Sequence, residues 1–314
     1  MTRPYARLLP ALLLVSGTGC DTVTAGNQGT LEFEFVSSDR LIPVSFGTPL
    51  AAGFKVEVNV FVVGGTRVPA KISLAQPADQ TIARVPASTD HSFTLEGRRA
   101  GTTSVDVVSA AGNDSFDLAV NDLAKVNLLY PSAVLVPASP PVSVAQGGSA
   151  HFPFTLLDSD ARQLIGYGAL PVDIAPTTAA HTAASDSAGL LTVAFSDLGA
   201  VTLTPLGANA LDVTVVPVSD ITALSFTATD TSAAAIDVGK VTTVVVDGRN
   251  EANERILGLT GLVTVSTSTP AVCSVAQSVV LGDAVYQVTG LTAGSCAIAA
   301  ALGALTATTS VEVR

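Results

Sequence analysis

Hydrophobic and polar residues alternate with a period of two along much of this chain. Lys55-Val56-Glu57-Val58-Asn59-Val60 puts every second side chain on one apolar face, the mark of a half-buried β-strand. Other stretches rich in Val, Thr, Ala and Ser behave alike. Turn residues break them roughly every 8 to 12 positions, as in all-β sandwiches. No amphipathic helix with caps is evident. Asn250 to Leu257 has the polarity of a helical turn but is short, and reads as a loop.

Three copies of one strand pattern fill the chain. Phe93-Thr94-Leu95-Glu96-Gly97 leads into Gly101-Thr102-Thr103-Ser104-Val105, and Tyr286-Gln287-Val288-Thr289-Gly290 leads into Gly294-Ser295-Cys296-Ala297-Ile298. The two align without a gap, which also sets Pro77 against Pro270. A weaker copy lies between them: Leu191-Thr192-Val193-Ala194-Phe195, then Gly199-Ala200-Val201-Thr202-Leu203, with Phe195 in place of the first glycine. Each copy continues to a turn glycine (Gly112, Gly207, Gly303) and a closing strand: Phe116 to Val120, Leu211 to Val216 and Thr308 to Val313. Early in the units, Gly53, Gly148 and Gly239 precede the stretches Phe54 to Val63, His151 to Leu157 and Val241 to Val246. Glycine suits such turns because positive φ carries no Cβ penalty there. A unit of about 95 residues matches the size of an immunoglobulin-type sandwich.

Val288-Thr289-Gly290-Leu291-Thr292-Ala293-Gly294-Ser295-Cys296-Ala297-Ile298, with a closing strand after it, resembles the bacterial immunoglobulin-like domains of group 2. These also occur in invasin- and intimin-type surface proteins. The likeness extends less strongly to the first unit, weakly to the second, and covers nearly all of residues 29–314. It implies an all-β chain of three tandem immunoglobulin-like β-sandwich domains, at 30–123, 124–218 and 219–314, and says almost nothing about a ligand. Tyr130-Pro131, Pro137 and Pro140-Pro141, opening the second unit, suit an edge strand, since proline cannot donate to a ladder. The linkers are short, so the modules are expected to stack end to end with restricted bending.

The N-terminus follows another pattern. Arg3 and Arg7 precede or flank an apolar run, Leu8 to Val15, and Ser16-Gly17-Thr18-Gly19 leads to Cys20. A basic start, a short apolar stretch and a small-residue exit make a secretory signal over 1–19. The run falls far short of the ~20 apolar residues that span a bilayer. Small residues ending at a cysteine resemble the lipobox of bacterial lipoproteins, although Gly17 stands where that family usually has leucine. The resemblance makes Cys20 the acylated first residue of the mature protein and its contact with a membrane. The alternative is an ordinary signal peptide with Cys20 as an incidental thiol. Asp21 resembles the enterobacterial inner-membrane retention signal. The expected location is therefore the cell envelope, with the outer membrane or cell surface placed ahead of the periplasmic face of the inner membrane. Residues 20–29 read as a lipidated, flexible tether.

Composition narrows the function. The 314 residues are 48% hydrophobic and 13% charged, with mean hydropathy +0.51 and net charge −11, which becomes −13 once Arg3 and Arg7 leave with the signal. That balance argues against nucleic acid, which needs a basic face. Cys296 to Ala307, the nearest later candidate for a membrane span, is too short. The absence of tryptophan and the four tyrosines weaken a sugar-stacking platform.

Cys273 and Cys296 remain when Cys20 is set aside. The alignment places them at Gln80 and Thr103 of the first unit. An even pair in an exported protein favours a disulfide over two buried thiols. The resemblance implies the same, because cysteines after such a Thr269-Pro270-Ala271-Val272 stretch and after Ala293-Gly294-Ser295 are familiar in that domain family. His91, His151 and His181 have no companion at ligand spacing and read as solvated or packed. Asp158-Ser159-Asp160 is the closest pair of acids and a weak calcium candidate. It lacks nearby the further oxygens calcium takes, so a solvated turn is the plainer reading. Asn113-Asp114 and Asp186-Ser187 read as ordinary turns. No nucleophile elbow, zinc-protease motif or phosphate loop occurs, so no catalytic residue, cofactor or metal is expected. The expected function is a non-catalytic, lipid-anchored envelope protein whose modules form a stalk or interaction surface, with an envelope or surface protein as candidate partner. The alternative is an adhesin or carbohydrate-binding surface lipoprotein.

Overall fold

The computed structural model describes residues 23–36, 47–64, 67–133, 136–137, 141–178, 180–182, 189–228, 235–278 and 283–314. Cys20, Asp21 and Asp186-Ser187 lie outside them. The alternating stretches become strands, and among the described residues the one helical element is a 3₁₀ turn, Val218–Asp220.

Residues 23–121 make two facing sheets. One orders Val23–Ala25, Leu31–Val36, Lys55–Val62, Ser92–Gly97 and Ala83–Ser88, with Val68–Pro69 beside Lys55–Val62. The other orders Leu50–Ala51, Gly112–Asn121, Gly101–Ser109 and Ile72–Pro77. Period two works as the pleat requires: Val56, Val58 and Val60 are buried between the sheets while Lys55 is exposed. Phe33, Phe35 and Phe93 of the first sheet meet Phe116 of the second, with ring centroids 4.7, 6.0 and 6.4 Å apart. Full burial of one such side chain contributes about 1.5–3 kcal/mol.

The three sequence copies occupy one register. The strands Gly112–Asn121, Leu211–Val216 and Leu305–Val313 each pair antiparallel with the strand opened by Gly101, Gly199 or Gly294. Each also pairs in parallel with a short opening strand, respectively Leu50–Ala51, Val142–Ala145 and Ala235–Ile236. The same turn follows each opening strand. The amides of Gly53, Gly147 and Gly239 donate to the carbonyls of Gly97, Phe195 and Gly290, at 2.8, 2.7 and 2.9 Å. The amides of Gly97, Phe195 and Gly290 return bonds of 3.0 Å to the carbonyls of Phe54, Gly148 and Lys240. The three turn glycines have φ of +84°, +79° and +79°. The turn glycine of the second copy is thus Gly147 rather than Gly148, while Phe195 holds the place of Gly97 and Gly290 as the alignment expects.

Other expectations need correction. The gapless alignment fails upstream of Gly97 and Gly290. Ala83 pairs with Gly97 as Cys273 pairs with Gly290, and the amides of Ile82 and Ala83 bond Asp79 as those of Val272 and Cys273 bond Thr269. Cys273 therefore matches Ala83, not Gln80, and Pro270 does not match Pro77. The connection between these paired strands is three residues longer in the third copy, and a gapless comparison absorbs that difference as a shift. Cys296 keeps its match with Thr103.

The expected tether is largely structured: Val23–Ala25 pairs with Leu31–Val36, setting Val23 opposite Glu34 and Ala25 opposite Glu32. Pairing with a strand already seated on the core overrides the small, polar local sequence. Residues 250–254 form a turn, but Arg255–Leu257 is a strand rather than loop. Of the prolines after Tyr130, Pro137 lies in an edge strand of a small ribbon, and Pro140 lies outside the described residues. Ser132–Ala133 and Val136–Pro137 form a two-stranded ribbon, and the edge strand there is Lys125–Leu128.

The second and third copies share one sheet. It runs through Val172–Ala175, Gly199–Pro205, Leu211–Val216 and Val142–Ala145, then Arg255–Leu257, Val241–Arg249, Val285–Gly290 and Cys273–Gln277, with Ala223–Ala228 also beside Val241–Arg249. The first and second copies share a continuous apolar core, while the third builds a separate core that also takes in Ala145.

Candidate functional site

A buried carboxylate stands at each place where repeats meet. At the first meeting, the backbone of Ile165 lies parallel to Leu50. The Ala51 amide donates to the Ile165 carbonyl and the Ile165 amide to that of Pro49, both at 2.9 Å. Lys55 and Tyr167 exchange amide-to-carbonyl bonds of 3.0 and 2.8 Å. Gly166 between them has φ of +137°, and a β-carbon on it would come within 2.6 Å of the Phe54 β-carbon. Glycine is required there for conformation and for approach.

The second meeting repeats the first. Ile256 and Leu257 lie parallel to Ser143 and Val144, Gly258 follows with φ of +76°, and Thr260 bridges to Ser149. Arg162-Gln163-Leu164-Ile165-Gly166 and Glu254-Arg255-Ile256-Leu257-Gly258 are thus two versions of one docking segment. Each follows a tight turn with a positive-φ residue, Ala161 at +60° or Asn253 at +62°.

Charged groups hold these segments. Asp158, a calcium candidate, is buried. One of its oxygens accepts from the amides of Asp160 and Arg162 (2.9 Å each), and the other from the Asn121 side-chain amide at 2.8 Å across the first junction. Those bonds hold its carboxyl below the usual range: the Arg162 amide acts most strongly, against a partial desolvation penalty. Asp160 is exposed and pairs with Arg162 at 3.2 Å. The two carboxylates serve different partners. Among the described residues no three His, Cys, Asp or Glu side chains converge as a metal site. In the third repeat Arg255 pairs with buried Asp247, which also accepts from Thr227 at 2.6 Å.

Two buried carboxylates escaped the sequence reading. Asp283 accepts from the amides of Gly258, Leu259 and Thr260 (2.7, 3.4 and 3.3 Å) and from the Thr260 hydroxyl at 2.8 Å. Burial raises its pKa, opposed by these bonds and by the charge of His151 from the second repeat. Tyr286, also raised by burial and by Asp283, donates to the Val263 carbonyl at 3.2 Å. Asp114, read as turn chemistry, stands inside a strand. It accepts from the amides of Gln28, Thr30, Leu31 and Ser115 at 2.8–2.9 Å. Burial pushes its pKa up, but these amides together outweigh it and leave the carboxyl lowered. Its strand begins at Gly112 instead of Phe116, which an alternation count anchored on apolar residues misses.

Cys273 and Cys296 form a disulfide with α-carbons 5.7 Å apart, joining the long shared sheet to the facing sheet of the third repeat. His91 Nδ1 lies 3.0 Å from the Ala70 carbonyl, and His151 Nδ1 lies 2.9 Å from the Thr192 hydroxyl. His181 lies on Ala180–Thr182 opposite Ala194, its side chain outside the described residues.

No family model matches the chain, and no curated protein matches it. Solved structures similar to it include domains 4–9 of the surface layer protein SbsC, at 18% identity and TM-score 0.32, covering 86% of this chain and 43% of that one. The Escherichia coli adhesin FdeC matches at 12% identity and TM-score 0.27, over 93% of this chain and 98% of that one. Invasin, a bacterial integrin-binding protein, matches at 14% identity and TM-score 0.25, over 91% and 60%. The chain thus spans less than half the length of that SbsC fragment.

Proposed function

We propose that this is a non-catalytic, lipid-anchored cell-envelope protein in which three tandem immunoglobulin-like modules, 30–123, 124–218 and 219–314, act as a stalk or protein-interaction surface. The observation that carries this reading is the repetition of one docking at both junctions: an aliphatic pair and a glycine of each following repeat laid on the opening strand of the repeat before it. Such construction passes direction and stiffness from module to module.

Cys20 carries the lipid in this reading. Two or three acyl chains attach stably where a single chain is marginal. Strand structure begins at Val23, so only about 10 Å of extended chain separates the anchor from the body. The first module is therefore held at the membrane surface. Palmitate labelling of a Cys20→Ser variant tests the anchor: loss of label is expected, and undiminished label overturns it. Small-angle scattering of the chain without its signal tests the stalk, for which an extended particle is expected and a compact globule is the contrary result.

A further inference from the structure

His151 is buried for a reason its own repeat does not supply. Along Ser149–Leu157 the side chains of Ala150, Phe152, Phe154 and Leu156 belong to the apolar core shared by the first two repeats. The pleat therefore turns Ser149, His151 and Pro153 outward. Ser149 and Pro153 are partly exposed, yet His151 is only 5% exposed. Its cover comes from the third repeat, whose Thr260 bridges to Ser149. Directly opposed residues share a face, so Ser149, His151 and Thr260 lie together, and the Thr260 hydroxyl donates to buried Asp283. The charge of His151 acts on that carboxyl across the junction. Each repeat thus buries one ionisable side chain against the other. The two junctions differ in this respect. The first has a continuous apolar core and answers Asp158 with the Asn121 amide, which does not titrate. At the second, among buried core residues, only Leu257 and Ala145 cross between the two cores.

We propose that His151 and Asp283 form a proton-operated latch: the second junction closes around one proton shared by the pair and loosens when rising pH removes it. With that proton the pair is electrically neutral, whichever residue holds it. Without it the closed junction buries a carboxylate that has no counter-charge, which costs far more than a balanced pair. Opening returns both side chains to water, where histidine gives up its proton in its ordinary range near neutrality. Closure therefore takes up a proton above that range. By linkage it weakens as pH rises, until the closed pair is deprotonated too. Burial of Asp283 acts in the same sense, since it raises the proton affinity of the carboxyl. The neighbouring groups offer no substitute charge. The Val246 amide bonds the Ala284 carbonyl, which brings Asp247 alongside Asp283, but Asp247 is paired with Arg255. Tyr286, its pKa raised, donates to the Val263 carbonyl. On the second repeat Thr192 beside His151 is uncharged, and His181 lies one strand further, opposite Ala194. The latch belongs to the junction itself and would operate in a stalk or in a compact assembly alike.

Hydrogen exchange on the full chain between about pH 6 and pH 8 tests the latch, with each rate divided by that of the unprotected peptide. The Ser149 amide donates to the Thr260 carbonyl across the junction, and the Gly258 amide donates to Asp283. Opening at both should grow by about tenfold over that range, within the limit of tenfold per pH unit that one proton sets. Ala51 and Ile165, bonded across the first junction, should show no such rise. His151→Gln removes the rise. Asp283→Asn inverts it, because a buried histidine without its counter-charge closes in the neutral form and sheds a proton. No rise in the parent, an equal rise at the first junction, or the parent's rise persisting in either variant overturns the proposal. Should the variants fail to fold, the unaltered chain decides. Followed by NMR, the His151 ring and the Asp283 carboxyl carbon should step at a common pH above the ordinary histidine range. Separate steps, or a His151 ring that titrates like an exposed one, overturn the latch.

Discussion

The backbone of Gly148 lies against the carbonyl of Gly258, so closely that a β-carbon on Gly148 would overlap that oxygen. The backbones of the second and third repeats meet there, with the Leu262 side chain beside them. Gly148→Ala is expected to lift the segment 256–260 from Val142–Ala145 at a cost of about 1–3 kcal/mol. Hydrogen exchange at Ile256 and Leu257 should quicken while that at Val58, deep in the first repeat, stays as it was. Equal protection at all three would place the contact outside the determinants of the junction.

Asp114 ties the N-terminal hairpin to the first sandwich, and Gly26 packs so near its carboxylate that any side chain there would collide with it. Asp114→Ala leaves four amides without their acceptor and should destabilise the chain by about 2–3 kcal/mol. The lowered pKa sets the sign of the pH effect. Its stabilisation is complete above the unfolded value near 3.8 and disappears as pH falls through the folded value. Urea unfolding should therefore show a shallower acid limb in the variant than in the parent.

Asp283 has the opposite sign. Its pKa is raised in the folded chain, which binds the proton more tightly than the unfolded chain does. Stability accordingly declines as pH rises from the unfolded value of 3.8 through the folded one, and stays lower above it. Asp283→Asn removes that decline. The parent's stability relative to the variant should therefore be greater at pH 4 than at pH 7, and a difference independent of pH would refute the assignment.

The Cys273–Cys296 bridge closes a separation of 23 residues. Chain entropy then contributes roughly 3 kcal/mol. Reduction, or paired replacement by alanine, should lower the unfolding free energy of the third repeat by that amount. Near-native exchange protection at Phe93 and Phe116 in the first repeat is the internal control.

Much of the fold was legible because β-structure writes its pleat into the sequence. The alternation of Lys55 to Val60, the glycines at 101, 199 and 294, and the substitution of Phe195 for glycine all reappear in register. What escaped were relationships between distant backbones. Asp114 and Asp283 look like any turn acid until the amides they accept from are known, and those belong to segments 83–86 and 23–25 residues away. The strand Arg255–Leu257 escaped because three residues beside a polar turn carry too little period to count.

By itself the sequence determined the strand class, the repeated strand pattern and the turn glycines of the first and third copies, which depend on local period or on identity between copies, and it favoured the pairing of Cys273 with Cys296 as the even pair left after Cys20. Only the tertiary structure decided that the segment after Cys20 joins the first sheet, and that Leu164-Ile165-Gly166 and Ile256-Leu257-Gly258 dock on the preceding repeat. Edge pairing and burial depend on which backbone arrives at a strand, and no local pattern records the arriving partner.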